Sequence, residues 1–254
     1  MLALVACGSG AAPHPVADHA AGSAIVMPAA PKGPYRAEPG EFANGDVQVR
    51  VEWPDVPTVA RAPQGRTRCG TAAAPDVAPT TTWGVPDAIV AIDTDHGKPP
   101  ADPAARVAVA DCAIAPRVIV AGAAITIASD VDHPLALSLA RAGDAAPLAA
   151  GSATVAALAI ELPIAGHAVV APLAAGTLDL LGGSDVEPAW IVAAAQPYVA
   201  ITEASGQVVL RDVPVGSFTV EALVPPRAGQ PARSGRATVA VAANALAEVT
   251  VQVR

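Results

Sequence analysis

The chain has 254 residues, of which 26 are proline, 21 are glycine and only 3% are aromatic, and its formal net charge is −8. Acidic residues outnumber basic ones by 23 to 15, and no basic run interleaved with aromatic residues occurs, so the composition excludes a nucleic-acid-binding protein. Proline, glycine or a charge interrupts every apolar stretch before it reaches the ~20 residues of a membrane-spanning helix. The length fits one large or two small domains.

The first residues indicate where in the cell the protein is located. The run Leu4-Val5-Ala6-Cys7 resembles the bacterial lipobox, in which small residues precede a cysteine that becomes the acylated N-terminus. We therefore expect residues 1–6 to be a signal remnant and Cys7 to carry the acyl chains that attach the protein to a membrane. This makes the chain a periplasmic or outer-membrane lipoprotein of the cell envelope. The alternative is an ordinary cysteine, because a basic region and a long apolar stretch are missing before it.

Residues 7–44 are rich in alanine, proline and glycine and show almost no hydrophobic periodicity. Such a segment buries too little apolar surface to offset its ordering entropy, so we expect a disordered tether. His14 and His19 lie in it, and we interpret them as solvated residues because flexible chain fixes no ligand geometry.

Beyond Gly45 the pattern changes to alternation of apolar and polar residues, which is typical of strands with one buried face. The predicted strands are 47–53, 88–92, 105–110, 117–120, 124–128, 135–139, 156–162, 176–181, 190–194, 198–202, 207–210, 217–223, 237–241 and 247–253. Gly143, Pro147 and Gly151 break the one alanine-rich stretch that suggests a helix. The fold class is therefore all-β. More than a dozen strands exceed one sandwich, so we expect two domains, residues 45–195 and residues 196–254.

Two cysteines remain if Cys7 is lipidated. In an oxidising envelope, Cys69 and Cys112 are expected to form a disulfide, which would stabilise the fold by about 4 kcal/mol in the chain-entropy model. The alternative is a pair of buried free thiols.

Two groups of motifs carry a family resemblance. Residues 111–118 (Asp-Cys-Ala-Ile-Ala-Pro-Arg-Val), 125–127 and 130–135 resemble the cupredoxin-like module of bacterial periplasmic proteins of the methylamine-utilisation and plastocyanin-like type. Residues 196–206 and 213–218 are similar to the carboxypeptidase regulatory-like, or prealbumin-like, β-sandwich that commonly follows that module. The resemblance implies a cupredoxin-like Greek-key sandwich followed by a small prealbumin-like sandwich. Cys69-Gly70 resembles a Cys-Gly of the same family, which supports the bond to Cys112.

The resemblance also implies a place for copper, with His133 at a ligand position. A blue-copper centre needs two imidazoles and a thiolate, usually with an axial thioether. The family carries the other ligands in Cys-x-x-His-Pro-Trp-Met, but residues 181–190 read Leu-Gly-Gly-Ser-Asp-Val-Glu-Pro-Ala-Trp, and no Cys, His or Met follows His167. We therefore expect no blue-copper site and no cofactor. His133 stays a weak metal candidate, and the alternative is a solvated loop histidine.

Other chemistry is sparse. Residues 93–98 (Asp-Thr-Asp-His-Gly-Lys) favour a polar loop over a metal or acid–base site, and the nucleophile-elbow, P-loop, dinucleotide-binding and zinc-protease motifs do not occur. Trp190 and Tyr198 are expected in a core rather than on a sugar-binding surface.

The sequence thus predicts a non-catalytic, lipid-anchored envelope protein that acts as a binding or structural module, with an envelope protein or a glycan as partner. One alternative is a metal-handling protein that uses His133 with His167 or His96. Another is carbohydrate binding by the C-terminal sandwich.

Overall fold

The computed structural model describes residues 44–61, 66, 70, 75–78, 83–94, 105–141, 155–226 and 231–254. These residues contain one short 3-10 helix, Thr58–Arg61, and no α-helix. The predicted all-β class is confirmed for this part of the chain. No helix among the same residues is long and apolar enough to cross a membrane.

Seven strands form the first unit, which we name the split sandwich. They are β1 (Asn44–Glu52), β2 (Ile89–Ile92), β12 (Val199–Ile201), β13 (Gln207–Pro214), β14 (Gly216–Val224), β15 (Arg233–Val241) and β16 (Leu246–Gln252). One sheet has the order β13-β1-β16 and the other the order β12-β2-β14-β15. Their facing side chains make one hydrophobic core.

Nine strands between β2 and β12 form the second unit, which we name the inserted sandwich. They are β3 (Arg106–Ala110), β4 (Ala113–Ala115), β5 (Val118–Ala121), β6 (Ala124–Ser129), β7 (Leu135–Arg141), β8 (Val155–Leu162), β9 (Ala168–Pro172), β10 (Thr177–Gly182) and β11 (Ala189–Ala193). The sheet orders are β5-β11-β10-β7-β8 and β4-β3-β6-β9. A separate core lies between these two sheets.

Strand β1 illustrates how the pattern becomes structure. Val47, Val49 and Val51 are fully buried, and the polar residues between them are partly exposed. Because successive side chains of a strand point to opposite faces, this alternation buries one face only. The strand lies between β13, its antiparallel neighbour, and β16, its parallel neighbour.

The distribution of strands corrects the expected boundary near Gln196. That boundary placed residues 45–94 in one domain with residues 105–195, whereas β1 pairs with β13 and β16, and β2 pairs with β12 and β14. The physical reason is that alternation shows which face of a strand is buried but not which distant strand covers it. The N-terminal strands therefore complete the C-terminal sandwich.

The inserted sandwich interrupts a pair of neighbouring strands. The amide of Ile92, at the end of β2, donates to the carbonyl of Tyr198 just before β12, with an N to O distance of 3.0 Å. The chain leaves the split sandwich after this point and returns beside it. Ile89, Val118 and Trp190 form a small core between the two sandwiches, and Trp190 Nε1 donates to the carbonyl of Pro226 at 3.2 Å.

Candidate functional site

A cleft of about 550 Å³ lies between the two sandwiches, with lining residues from both. On the split sandwich, Ile89 and Leu223 are opposite each other in register, and so are Ala91 and Glu221 two residues further along. Residues two apart on a strand share a face, so both rows point toward the inserted sandwich. Both rows line the cleft, and the first row also packs on the inter-sandwich core.

The opposite wall comes from β10 and β11. Leu178 and Val192 are paired in register and both line the cleft. The next pair on the same face, Leu180 and Trp190, belongs to the small core between the sandwiches. Residues 194–196 of the connection to β12 line a further side.

Aliphatic side chains line much of the cleft, together with the polar residues Thr177, Gln196 and Ser234, and an exposed charged pair lies at its rim. The aliphatic lining side chains are Ile89, Leu178, Val192, Val199 and Leu223. At the rim, Arg236 Nε lies 2.9 Å from Glu221 Oε1, and these side chains are 75% and 43% exposed. Arg236 and Glu221 are direct cross-strand neighbours on β15 and β14. The arrangement suits an amphipathic ligand, because apolar and charged groups occupy separate zones.

His133 lies elsewhere, at one end of the inserted sandwich. Its side chain is 62% exposed, and its Nδ1 lies 3.0 Å from Asp132 Oδ1. This hydrogen bond lowers the pKa of Asp132. Among the described residues, no group of three or more His, Cys, Asp or Glu side chains is placed to hold a metal ion.

The segment expected to hold the other copper ligands lies at the same end. It comprises the end of β10, the start of β11 and the loop between them, in which Val186 is buried in the core. A Cβ added at Gly183 would lie 2.9 Å from the carbonyl oxygen of Ala136, so the loop packs against the start of β7. His167 also approaches this end, because its carbonyl accepts the amide of Ser129. The structure brings these loops together, but a ligand set is not assembled from the described residues.

The cysteines are only partly described. Cys112 follows β3 and is disulfide-bonded, whereas Cys7 and Cys69 lie outside the described residues. The Cys69 to Cys112 pairing and the lipidation of Cys7 therefore stay predictions. His14, His19 and His96 also lie outside the described part of the chain.

A buried carboxyl group occurs in the inserted sandwich. Asp179 is 3% exposed, and its Oδ1 lies 3.7 Å from Arg141 Nε. The hydroxyl oxygen of Thr177 is 2.8 Å from Asp179 Oδ2 and 2.7 Å from the carbonyl oxygen of Ala174. Burial raises the pKa of Asp179, despite the lowering effects of Thr177 and Arg141. The protonated acid fits this geometry, because it can donate to Thr177 while Thr177 donates to Ala174.

Trp190 and Tyr198 are buried, as the sequence predicted. Sequence reasoning missed the cleft, because its walls come from strands far apart in the chain. The local sequence carries only a weak signal for the cleft. Glu221 is a polar residue within the predicted strand 217–223, and Arg236 directly precedes the predicted strand 237–241.

Comparisons with known protein families, with characterised proteins and with solved structures found no match to this chain.

Proposed function

We propose that this chain is a non-catalytic binding module of the bacterial cell envelope, attached to a membrane through acyl chains on Cys7, and that it binds its ligand in the cleft between the two sandwiches. The observation that carries the binding role is the cleft itself. Its volume of about 550 Å³ lies within the range of roughly 300–1,000 Å³ that is usual for small-molecule sites, which favour domain junctions.

The β-sandwiches provide a rigid scaffold for binding, and the cleft between them is the proposed binding site. Leu178, Val192 and Leu223 remain partly exposed there. Covering such surface drives association through the hydrophobic effect.

A ligand panel tests the binding role. Thermal unfolding of the full chain is followed with single-chain amphiphiles, oligosaccharides and short peptides, in parallel with Ala91→Leu. Ala91 lines the cleft between Val199 and Glu221, so a leucine there narrows the cleft beside these two residues. We expect at least one ligand class to raise the Tm of the natural protein and not that of the variant. If no class gives a shift that depends on the open cleft, the binding role is wrong.

Mass spectrometry tests the predicted lipid anchor on Cys7. The protein isolated from membranes is expected to begin at a diacylated or triacylated Cys7. An unmodified Met1 in the soluble fraction would contradict the lipid anchor.

A further inference from the structure

We infer that the ligand of the cleft is a single-chain aliphatic carboxylate, of the fatty-acid class, whose hydrocarbon chain lies between the two sandwiches and whose head group binds Arg236. This inference rests on the proposed binding role and adds the chemical class of the ligand.

The side chains that line the cleft favour a hydrocarbon ligand over a sugar or a nucleobase. Branched aliphatic side chains from both sandwiches line the cleft, and none of the described lining residues is aromatic. Sugars and nucleobases are usually held by stacking on aromatic faces. A flexible hydrocarbon chain needs no such face and gains by covering aliphatic surface.

The aliphatic and the charged side chains of the cleft lie at different positions along its strands. Leu178, Val192 and Leu223 pack against the inter-sandwich core. Glu221 lies two residues before Leu223 along β14, on the same face, and pairs with Arg236 on β15. An amphiphile has the same order of parts, with an apolar body and a charged end. A ligand that is polar throughout would leave the aliphatic walls without matching contacts.

The guanidinium group of Arg236 has N–H donors that can bind a ligand carboxylate. Arg236 contacts Glu221 through Nε at 2.9 Å, and within the described part of the chain its terminal nitrogens have no hydrogen-bond partner among the contacts that the structure shows. A guanidinium group carries five N–H donors, and a carboxylate binds two of them in parallel. The ion pair is exposed and therefore contributes little to stability, so a ligand carboxylate competes readily with Glu221.

Isothermal titration of the full chain with decanoate, below its micelle concentration, tests the inference. We expect saturable binding of one decanoate. Arg236→Gln is expected to weaken it by about tenfold or more, since a charge-assisted hydrogen bond is lost. Glu221→Gln is expected to tighten it, because the competing carboxylate is removed. Ala91→Leu is expected to weaken it, because the added side chain narrows the cleft beside Glu221.

Arg211→Gln is the matched control. Arg211 is also an exposed strand arginine near a carboxylate, Asp46, but it lies on β13 in the other sheet of the split sandwich. Its loss should leave decanoate binding unchanged. An equal effect of Arg211→Gln would mean that decanoate responds only to the overall charge of the protein, which would overturn the inference.

Two further probes separate the head group from the chain. Decyltrimethylammonium tests the site for a cationic head group. If this probe binds in place of decanoate, and if Arg236→Gln tightens its binding while Glu221→Gln weakens it, the site prefers a cationic head and the inference is wrong. If the uncharged 1,2-decanediol binds as tightly as decanoate, Arg236 does not bind the head group and the inference is wrong. If none of these amphiphiles binds but an oligosaccharide or a peptide gives a cleft-dependent thermal shift, the ligand class is wrong while the binding role survives.

Discussion

The Asp179 side chain is a buried acid whose environment favours its protonated form. Because burial raises the pKa of Asp179, the folded state keeps a proton at pH values where the unfolded chain has lost it. The free energy of unfolding then decreases as pH rises from the ordinary aspartate pKa toward the raised value, and levels off above it. The carboxyl group is thus destabilising at neutral pH relative to a neutral group of the same shape.

We predict that Asp179→Asn removes this decrease. Urea unfolding between pH 4 and pH 8 should show a smaller loss of stability in the variant, and at pH 7 the variant should be at least as stable as the natural protein. Asp55→Asn, at an exposed position, is the control and should leave the pH profile unchanged. A variant that is less stable at every pH would show instead that the pair with Arg141 dominates.

His133 is the weak metal candidate predicted from the sequence. In the structure its imidazole is exposed and hydrogen-bonded to Asp132. We expect titration with copper(II) to give no stoichiometric binding that is lost in His133→Ala. The quantity to compare is the difference in copper binding between the natural protein and the variant, because this difference isolates the contribution of His133. A site lost with His133 would favour the metal-handling alternative.

Among the structural elements, the turn before β13 shows how a short motif fixes a contact. The residues Ala204-Ser205-Gly206 form a tight turn, in which the amide of Gly206 donates to the carbonyl of Glu203 at 2.8 Å. Gly206 has a φ of +77°, and a Cβ there would lie 2.5 Å from the amide nitrogen of Val85. A Cβ on Gly84 would overlap the carbonyl oxygen of Ser205. The two backbone segments therefore touch without intervening side chains.

We predict that Gly206→Ala destabilises the protein more than Gly166→Ala. Gly166 has a similar φ of +84°, but nothing lies within 4 Å of its absent Cβ. Gly166→Ala should cost only the backbone strain, about 1–3 kcal/mol. Gly206→Ala adds a clash that should cost about 1–3 kcal/mol more. Chemical unfolding measures both variants, and equal losses would show that the turn can move away from Val85.

Most strands were predictable because their burial alternates. β1 and β7 bury every second residue over several positions, and the sequence marks both. β9 was missed because Val170, its central residue, is exposed and the strand shows no clean alternation. β4 was missed because it has only three residues. Alternation thus finds strands that face a core and overlooks short or edge strands.

At the scale of the whole molecule, the pairing of β1 and β2 was not predictable. Val47 and Val90 are fully buried in the same core as Val220 and Val251, yet more than a hundred positions of the chain separate the first two residues from the last two. Local pattern carries no information on such long-range contacts. The cleft depends on the same contacts, so it could not be located before the sheets were known.

The arrangement predicts that the inserted sandwich can be removed. Since Ile92 and Tyr198 are hydrogen-bonded backbone neighbours, replacing residues 94–197 with a short Asn-Gly turn should convert β2 and β12 into a hairpin. We expect the shortened chain to show β-type circular dichroism and cooperative unfolding. Ile89→Thr and Leu223→Thr in the same chain would offset the apolar surface that the removal exposes.

Deleting residues 44–53 from this shortened chain provides the control. β1 is central in its sheet, so its loss should abolish folding. If the shortened chain is unfolded with and without the two threonines, the split sandwich depends on the inserted one.

The parallel pairing of β1 with β16 has a mechanical consequence. The two strands are in register from Asp46 with Leu246 to Glu52 with Gln252, and each lies at one end of the described chain. A force that pulls residue 44 away from residue 252 acts along these strands, so it loads their backbone hydrogen bonds together in shear rather than opening them one after another. The inserted sandwich carries no tension until that pair separates.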